Sequence, residues 1–343
     1  MSSLSSQTSS KSGGFRLSFS QHLSLLSLFL SLPFSIGRGV FALENRQRTW
    51  RRAIHDSVLR TLTSRKWDDV RVIAHGLDEL EEGAALHWIG PRRYDRVILY
   101  FHGGGFSLPP SPGHLELLHA MKKDSKAYGG TGVVLLEYSL TPDHPFPTQL
   151  RQANAALTHL LVKGAKPSDI ILSGDSAGGT LALQLFAHIL KPLPSIPPPP
   201  ALSAPLRGAA LISPWTTYGV DSPSFSRNDR LDGLSKDFYQ FLGDVVLHGV
   251  PKDELAWAQP LSADFAGLDK VVTHVLNIAG EAEGLLDPVN DIALKLERAG
   301  VDVKTMIEAG GMHEDMINNF SAGEGNRSES YRWLTKWLAE VYQ

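Results

Sequence analysis

Ser176 sits in Gly174-Asp175-Ser176-Ala177-Gly178-Gly179, between the apolar run Ile170 to Leu172 and a helix-like run that continues to Leu190. A serine hydroxyl is a poor nucleophile unless a base takes its proton. The neighbours here suit that role. Glycines two positions before and after the serine let backbone approach backbone in a sharp strand-to-helix turn, and such a turn lifts the hydroxyl clear of its sheet. The N-terminus of the following helix favours negative charge that develops beside it.

A serine nucleophile needs three more things: donors for an oxyanion, a base, and an acid that orients the base. Tyr100-Phe101-His102-Gly103-Gly104-Gly105-Phe106 offers the donors. Three glycines after an apolar run can turn N–H groups into a cleft, and those of Gly103 and Gly104 are expected to join that of Ala177. Of thirteen histidines, His313 is the best placed base. It follows the apolar run ending at Ile307 and a Gly310-Gly311 turn, so its ring can swing over a sheet edge. His274 lies inside a strand-like run and His248 inside a long insertion. Four carboxylates, Glu281, Glu283, Asp287 and Asp291, stand between Ser176 and His313 in a position to serve as the acid. Spacing alone does not choose among them.

The elements that must position these groups alternate. Strand-like runs (69–76, 84–90, 95–105, 132–140, 168–174, 208–215, 271–280 and 301–310) are separated by segments with helical spacing, among them 114–123, 150–164, 177–190, 288–300 and the terminal 328–343. That alternation predicts an α/β fold with a mainly parallel sheet covered by helices on both faces. Two stretches break it. The proline-rich 191–206 is expected to be an exposed loop. Residues 216–260 are far longer than one crossover needs and are expected to form a helical cap over the carboxyl edge of the sheet, where open α/β sheets bind ligands.

Composition narrows the chemistry. With 343 residues, 42% hydrophobic and 20% charged, the chain can bury a large core. Its formal charge of −3 argues against nucleic acid as the main partner. The absence of cysteine excludes disulfides, zinc-thiolate sites and a thiol nucleophile.

Residues 1–66 differ from the remainder. A polar, serine-rich start of low complexity precedes an apolar stretch, and 17–40 is read as a membrane-associating segment; a cleaved signal or a lid helix remain alternatives. Five arginines between residues 38 and 52 follow it, whereas only Lys11 and Arg16 precede it. If the segment spans a bilayer, that bias keeps the catalytic part, 67–343, in the cytosol. Trp50, Ile54, Val58 and Leu62 mark a basic amphipathic helix after it.

Several motifs occur in order: His102-Gly103-Gly104-Gly105, Glu137-Tyr138-Ser139 to Pro147, Gly174 to Gly179, Leu211 to Trp215 and Gly280 to Asp287. Over about residues 69–343 the chain resembles the hormone-sensitive-lipase-like esterases of the α/β-hydrolase fold, with a weaker likeness of the N-terminal segment to fungal steryl-acetyl-hydrolase-like relatives. The resemblance implies a Ser176, Glu283, His313 triad, with Asp287 as the alternative acid. It also implies hydrolysis of a hydrophobic small-molecule ester through an acyl-enzyme, without metal or organic cofactor. Acyl transfer, lactone formation or cyclisation on the same groups is the rival reading, and a non-catalytic receptor is disfavoured by the presence of His313. The chain departs from the family at Glu137-Tyr138-Ser139, where Asp-Tyr-Arg is usual. It departs again after His313, where Glu314 stands in place of an aromatic residue.

Overall fold

The computed structural model describes residues 83–343. Runs of valine, leucine and isoleucine make the central strands, whose side chains are nearly all covered, whereas the edge strand at 302–308 has no fully buried position. In chain order the elements begin with β1 (Ala85–Trp88), β2 (Val97–Phe101), α1 (Pro112–Asp124), β3 (Gly132–Glu137), α2 (Thr148–Val162), β4 (Ile170–Asp175) and α3 (Ala177–Leu190). They continue with β5 (Leu206–Ile212), α4 (Pro223–Asn228), α5 (Lys236–Leu247), α6 (Leu255–Ala258), β6 (Val272–Gly280), α7 (Leu286–Arg298), β7 (Asp302–Glu308), α8 (Asp315–Ser321) and α9 (Glu329–Val341).

The seven strands form one sheet in the order β1-β3-β2-β4-β5-β6-β7. β1 runs antiparallel to β3 and every other pairing is parallel. This is the α/β-hydrolase arrangement that the alternation and motifs predict. β2 and β4 are buried at every position, as expected of strands covered on both faces. One layer, built around α2, α3 and α7, packs on one face through Leu150, Leu157, Leu181, Leu185 and Ile292. On the other face α1, α8 and α9 contribute Leu117, Met121, Ile317, Leu334 and Trp337. α3 is apolar all round, and Ala177 to His188 are buried without exception. Each leucine or phenylalanine there contributes about 1.5–3 kcal/mol by leaving water.

Residues between β5 and β6 carry α4, α5 and α6. Ser235 caps α5 by accepting a hydrogen bond from Phe238 N–H, which fixes where the helix starts. The proline-rich stretch is less exposed than its composition predicts. Leu193 and Ile196 are buried, and Asn154 on α2 and His188 on α3 lie within hydrogen-bonding distance of the Pro197 carbonyl. Proline supplies no backbone donor, but its carbonyl still accepts, and two neighbouring helices use it.

The strand read at 69–76, the apolar segment 17–40 and the basic helix lie outside the described residues. No helix among the described residues is long and apolar enough to cross a membrane.

Candidate active site

Parallel pairing brings the carboxyl ends of β2, β4, β6 and β7 to one edge of the sheet. Phe101 is opposite Gly174, and Gly280 is opposite Glu308. The loops leaving those ends carry the glycine turn, Ser176, Glu283 and His313.

The Ser176 turn is tight for a visible reason. Ser176 has φ 47° and ψ −116°, a conformation that costs a non-glycine residue about 1–3 kcal/mol and persists only where the surroundings enforce it. Here the surroundings do. A Cβ on Gly174 would stand 2.5 Å from the Gly178 carbonyl carbon, and one on Gly178 would collide with the Phe101 carbonyl. A Cβ on Gly179 would stand 2.8 Å from Pro214 Cβ. The glycines around Ser176 therefore record contact between β2, the turn and the start of α3.

His313 Nε2 lies 2.9 Å from Ser176 Oγ, and its Nδ1 lies 3.1 Å from Glu283 Oε2. An ionised carboxylate only accepts, so Nδ1 carries the proton and Nε2 is left to accept from the serine hydroxyl. Ser176 and His313 are 5% and 3% exposed and Glu283 is fully buried. Burial pushes the Glu283 carboxyl above its ordinary range, while His313 and the Ser213 hydroxyl pull it back. Gly280 N–H also donates to Glu283 Oε1 at 3.1 Å. Asp287 is placed elsewhere: its carboxylate accepts from Ser224 N–H at 2.7 Å and from Arg227 at 3.2 Å, both on α4. Among the carboxylates read from the sequence, the structure brings Glu283 to His313 and turns Asp287 to the inserted helices. Glu281 accepts from Gly310 N–H.

The glycine turn differs from expectation at its first glycine. Gly103 N–H donates to Asp175 Oδ2 at 3.0 Å and so is spent inside the protein. The N–H groups of Gly104, Gly105 and Ala177 have no acceptor among the described residues. Gly104 and Gly105 have φ of 102° and 60°, and a Cβ on Gly105 would stand 2.6 Å from Leu242 Cδ1 of α5. These positive angles turn the peptides that a sequence can show only as a run of glycines.

Three features were not legible as site residues. Asp232, from the loop between α4 and α5, accepts from His313 N–H at 2.9 Å and from Gly284 N–H at 2.7 Å. Ser213, with φ 46°, bonds Glu283. The third is a buried group around Asp175. Tyr100 donates to its Oδ1 at 2.6 Å, and His114 Nε2 lies 3.0 Å from Oδ2. Because Ser111 N–H donates to His114 Nδ1, the Nε2–H is the one that reaches Asp175. Glu314 faces the same carboxylate. Burial pushes the Asp175 carboxyl up, but the attraction and hydrogen bond of His114, with bonds from Glu314 and Tyr100, outweigh it and hold Asp175 below its ordinary range. Glu314 is pushed well above its own range by burial and by Asp175. Two adjacent carboxyls do not both ionise, and the better solvated by hydrogen bonds takes the charge. His114, Asp175 and Glu314 are also the one grouping among the described residues with metal-ligand geometry, their ligand atoms lying within 4.8 Å of one another. Bonds from His114, Tyr100 and Gly103 already satisfy the Asp175 carboxylate.

The sequence matches the alpha/beta hydrolase fold family over residues 98–317. The chain belongs to the α/β-hydrolase family. This hydrolase is 31% identical over 231 residues to an esterase of Acinetobacter venetianus, covering 66% of its own length and 67% of the relative. It is 30% identical over 226 residues to an acetyl-hydrolase of Streptomyces hygroscopicus, covering 64% of itself and 67% of that protein. Among solved structures, an esterase of the bacterial hormone-sensitive lipase family superposes with a TM-score of 0.63 at 25% identity, over 92% of the hydrolase and 99% of the neighbour. The likeness of the hydrolase therefore lies with the hormone-sensitive-lipase-like esterases, as its ordered motifs imply.

Proposed function

We propose that this protein is a serine carboxylic-ester hydrolase that acts on a hydrophobic small-molecule ester. The observation that carries the reading is the unbroken chain from Ser176 Oγ through His313 to Glu283, with links of 2.9 and 3.1 Å. The esterase and acetyl-hydrolase relatives support the same reaction class.

In this reading Ser176 Oγ attacks the ester carbonyl while His313 Nε2 takes its proton. Glu283 holds the imidazole tautomer and stabilises the imidazolium. The oxyanion accepts hydrogen bonds from Ala177 N–H and from Gly104 N–H, with Gly105 in the role expected of Gly103. His313 then protonates the leaving alcohol, and a water activated by the same nitrogen releases the acyl group. Every step uses the chain's own side chains and backbone. The preference for a hydrophobic ester rests on what overhangs the site: Leu242 covers Gly105, and the Tyr239 ring stands edge-on to His313 at 5.5 Å between centroids.

The test is intact mass after reaction with a fluorophosphonate, run on wild type, Ser176→Ala and His313→Ala, beside turnover of p-nitrophenyl acetate. One adduct on wild type, none on Ser176→Ala, and turnover lost in both variants is the expected result. Labelling without turnover would move the assignment to acyl transfer, and a folded wild type that takes no label would remove Ser176 as nucleophile.

A further inference from the structure

The residue after the base is where this chain leaves the family pattern, and its geometry is unusual. Glu314 adopts φ 54° and ψ 35°, a left-handed conformation at the start of α8. Its carboxyl lies inward, beside Gly103 and Asp175. Oε1 is buried, receives no hydrogen bond from a described residue, and lies 4.0 Å from His313 Nε2. The same nitrogen lies 2.9 Å from Ser176 Oγ. A Cβ on Gly103 would collide with both Glu314 Oε1 and Asp175 Oδ2, so glycine is required there to admit the carboxyl pair.

A separation of 4.0 Å is the span that a single oxygen atom bridges when it is about 2.8 Å from each end. We propose that Glu314 Oε1 holds the water that attacks the acyl-enzyme, so that the acyl group passes to water in preference to an alcohol. This rests on the serine-esterase reading above. The water oxygen bonds to the acyl carbonyl carbon, and one of its protons goes to His313 Nε2. The other proton stays on that oxygen, hydrogen-bonded to Glu314 Oε1. The tetrahedral intermediate then collapses. Its bond to Ser176 Oγ breaks, and the proton on Nε2 passes to that oxygen. An alcohol has a single O–H, which His313 takes, so it leaves Oε1 unpartnered.

The Asp175 group gives this arrangement its second requirement. Asp175, held ionised by His114, Tyr100 and Gly103, keeps the proton on its neighbour. Glu314 then presents a neutral acceptor.

The experiment follows p-nitrophenyl acetate in graded methanol with wild type, Glu314→Ala and Glu314→Gln. It reads the pre-steady-state p-nitrophenol burst together with the ratio of acetate to methyl acetate. Glu314→Ala should keep its burst rate within about two-fold while the ratio falls about three- to ten-fold, the size of one neutral hydrogen bond. Glu314→Gln should keep the wild-type ratio, because its amide oxygen is also a neutral acceptor. An unchanged ratio in Glu314→Ala, or an equal loss of burst and steady rate in both variants, would overturn the proposal. A wild type that releases no p-nitrophenol would instead fail the esterase reading and take the proposal with it.

Discussion

Asp232 accepts the backbone N–H of His313 at 2.9 Å, and its second oxygen accepts Gly284 N–H at 2.7 Å. One carboxylate from the α4–α5 loop thus ties the His313 loop to the Glu283 loop. Tyr239 donates to it as well, at 3.1 Å. Asp232 is 2% exposed, so removing it takes an acceptor from three buried N–H groups, those of Gly233, Gly284 and His313. Asp232→Ala is expected to destabilise the fold by about 3 kcal/mol and to lower kcat more than it raises KM. Asp232→Asn keeps one acceptor oxygen and should fall between. Urea unfolding beside steady-state kinetics measures both.

The two candidate acids separate cleanly. Glu283→Gln should lower kcat by about three to four orders of magnitude, since the imidazole loses the group that holds its tautomer. Asp287→Asn should leave kcat within a few-fold, because its contacts are with Ser224 and the half-exposed Arg227 of α4. Equal losses in the two variants would contradict the geometry.

The packing of the Ser176 turn predicts a sharp contrast between glycines. Gly178→Ala drives a methyl into the Phe101 carbonyl, and should cost about 3 kcal/mol or more and abolish labelling of Ser176. Gly219→Ala meets nothing closer than 3.7 Å and should change stability by less than about 0.5 kcal/mol. Thermal melts with active-site titration distinguish the two.

Glu314 and Asp175 make stability depend on pH with a definite sign. Glu314 is raised well above 4.5 in the folded chain. Above that pH the unfolded chain has released a proton that the native chain still holds, so stability falls as pH rises, by about 1.4 kcal/mol per unit until the native group ionises. Glu314→Gln removes this slope. The variant should therefore gain on wild type as pH rises from 4.5 to 7, read from urea midpoints across that range.

The alternation of strand and helix was legible because buried parallel strands are continuous apolar runs and α2, α3 and α7 keep helical spacing. Ser176 and His313 were legible because glycine marks where the chain must turn sharply. The Gly103 donor was not, since a glycine run states that peptides can turn and not which way each N–H points. Asp232 was invisible for a different reason. It lies 81 residues from His313 in sequence, and no local pattern announces a carboxylate whose partners are backbone amides. Glu314 could be noticed only as a departure from the family, while its strained backbone and its pairing with Asp175 needed coordinates.

The order of the segments along the chain has a consequence for how the Ser176, His313 and Glu283 group comes together. β4 and the Ser176 turn are made early, the inserted helices follow, and Glu283 and His313 come after both. Ser176 is therefore made 137 residues ahead of His313. On the proposed serine-esterase reading, a chain that stops or is clipped between the two keeps an ordinary, unreactive hydroxyl, so reactivity appears only once His313 has been added.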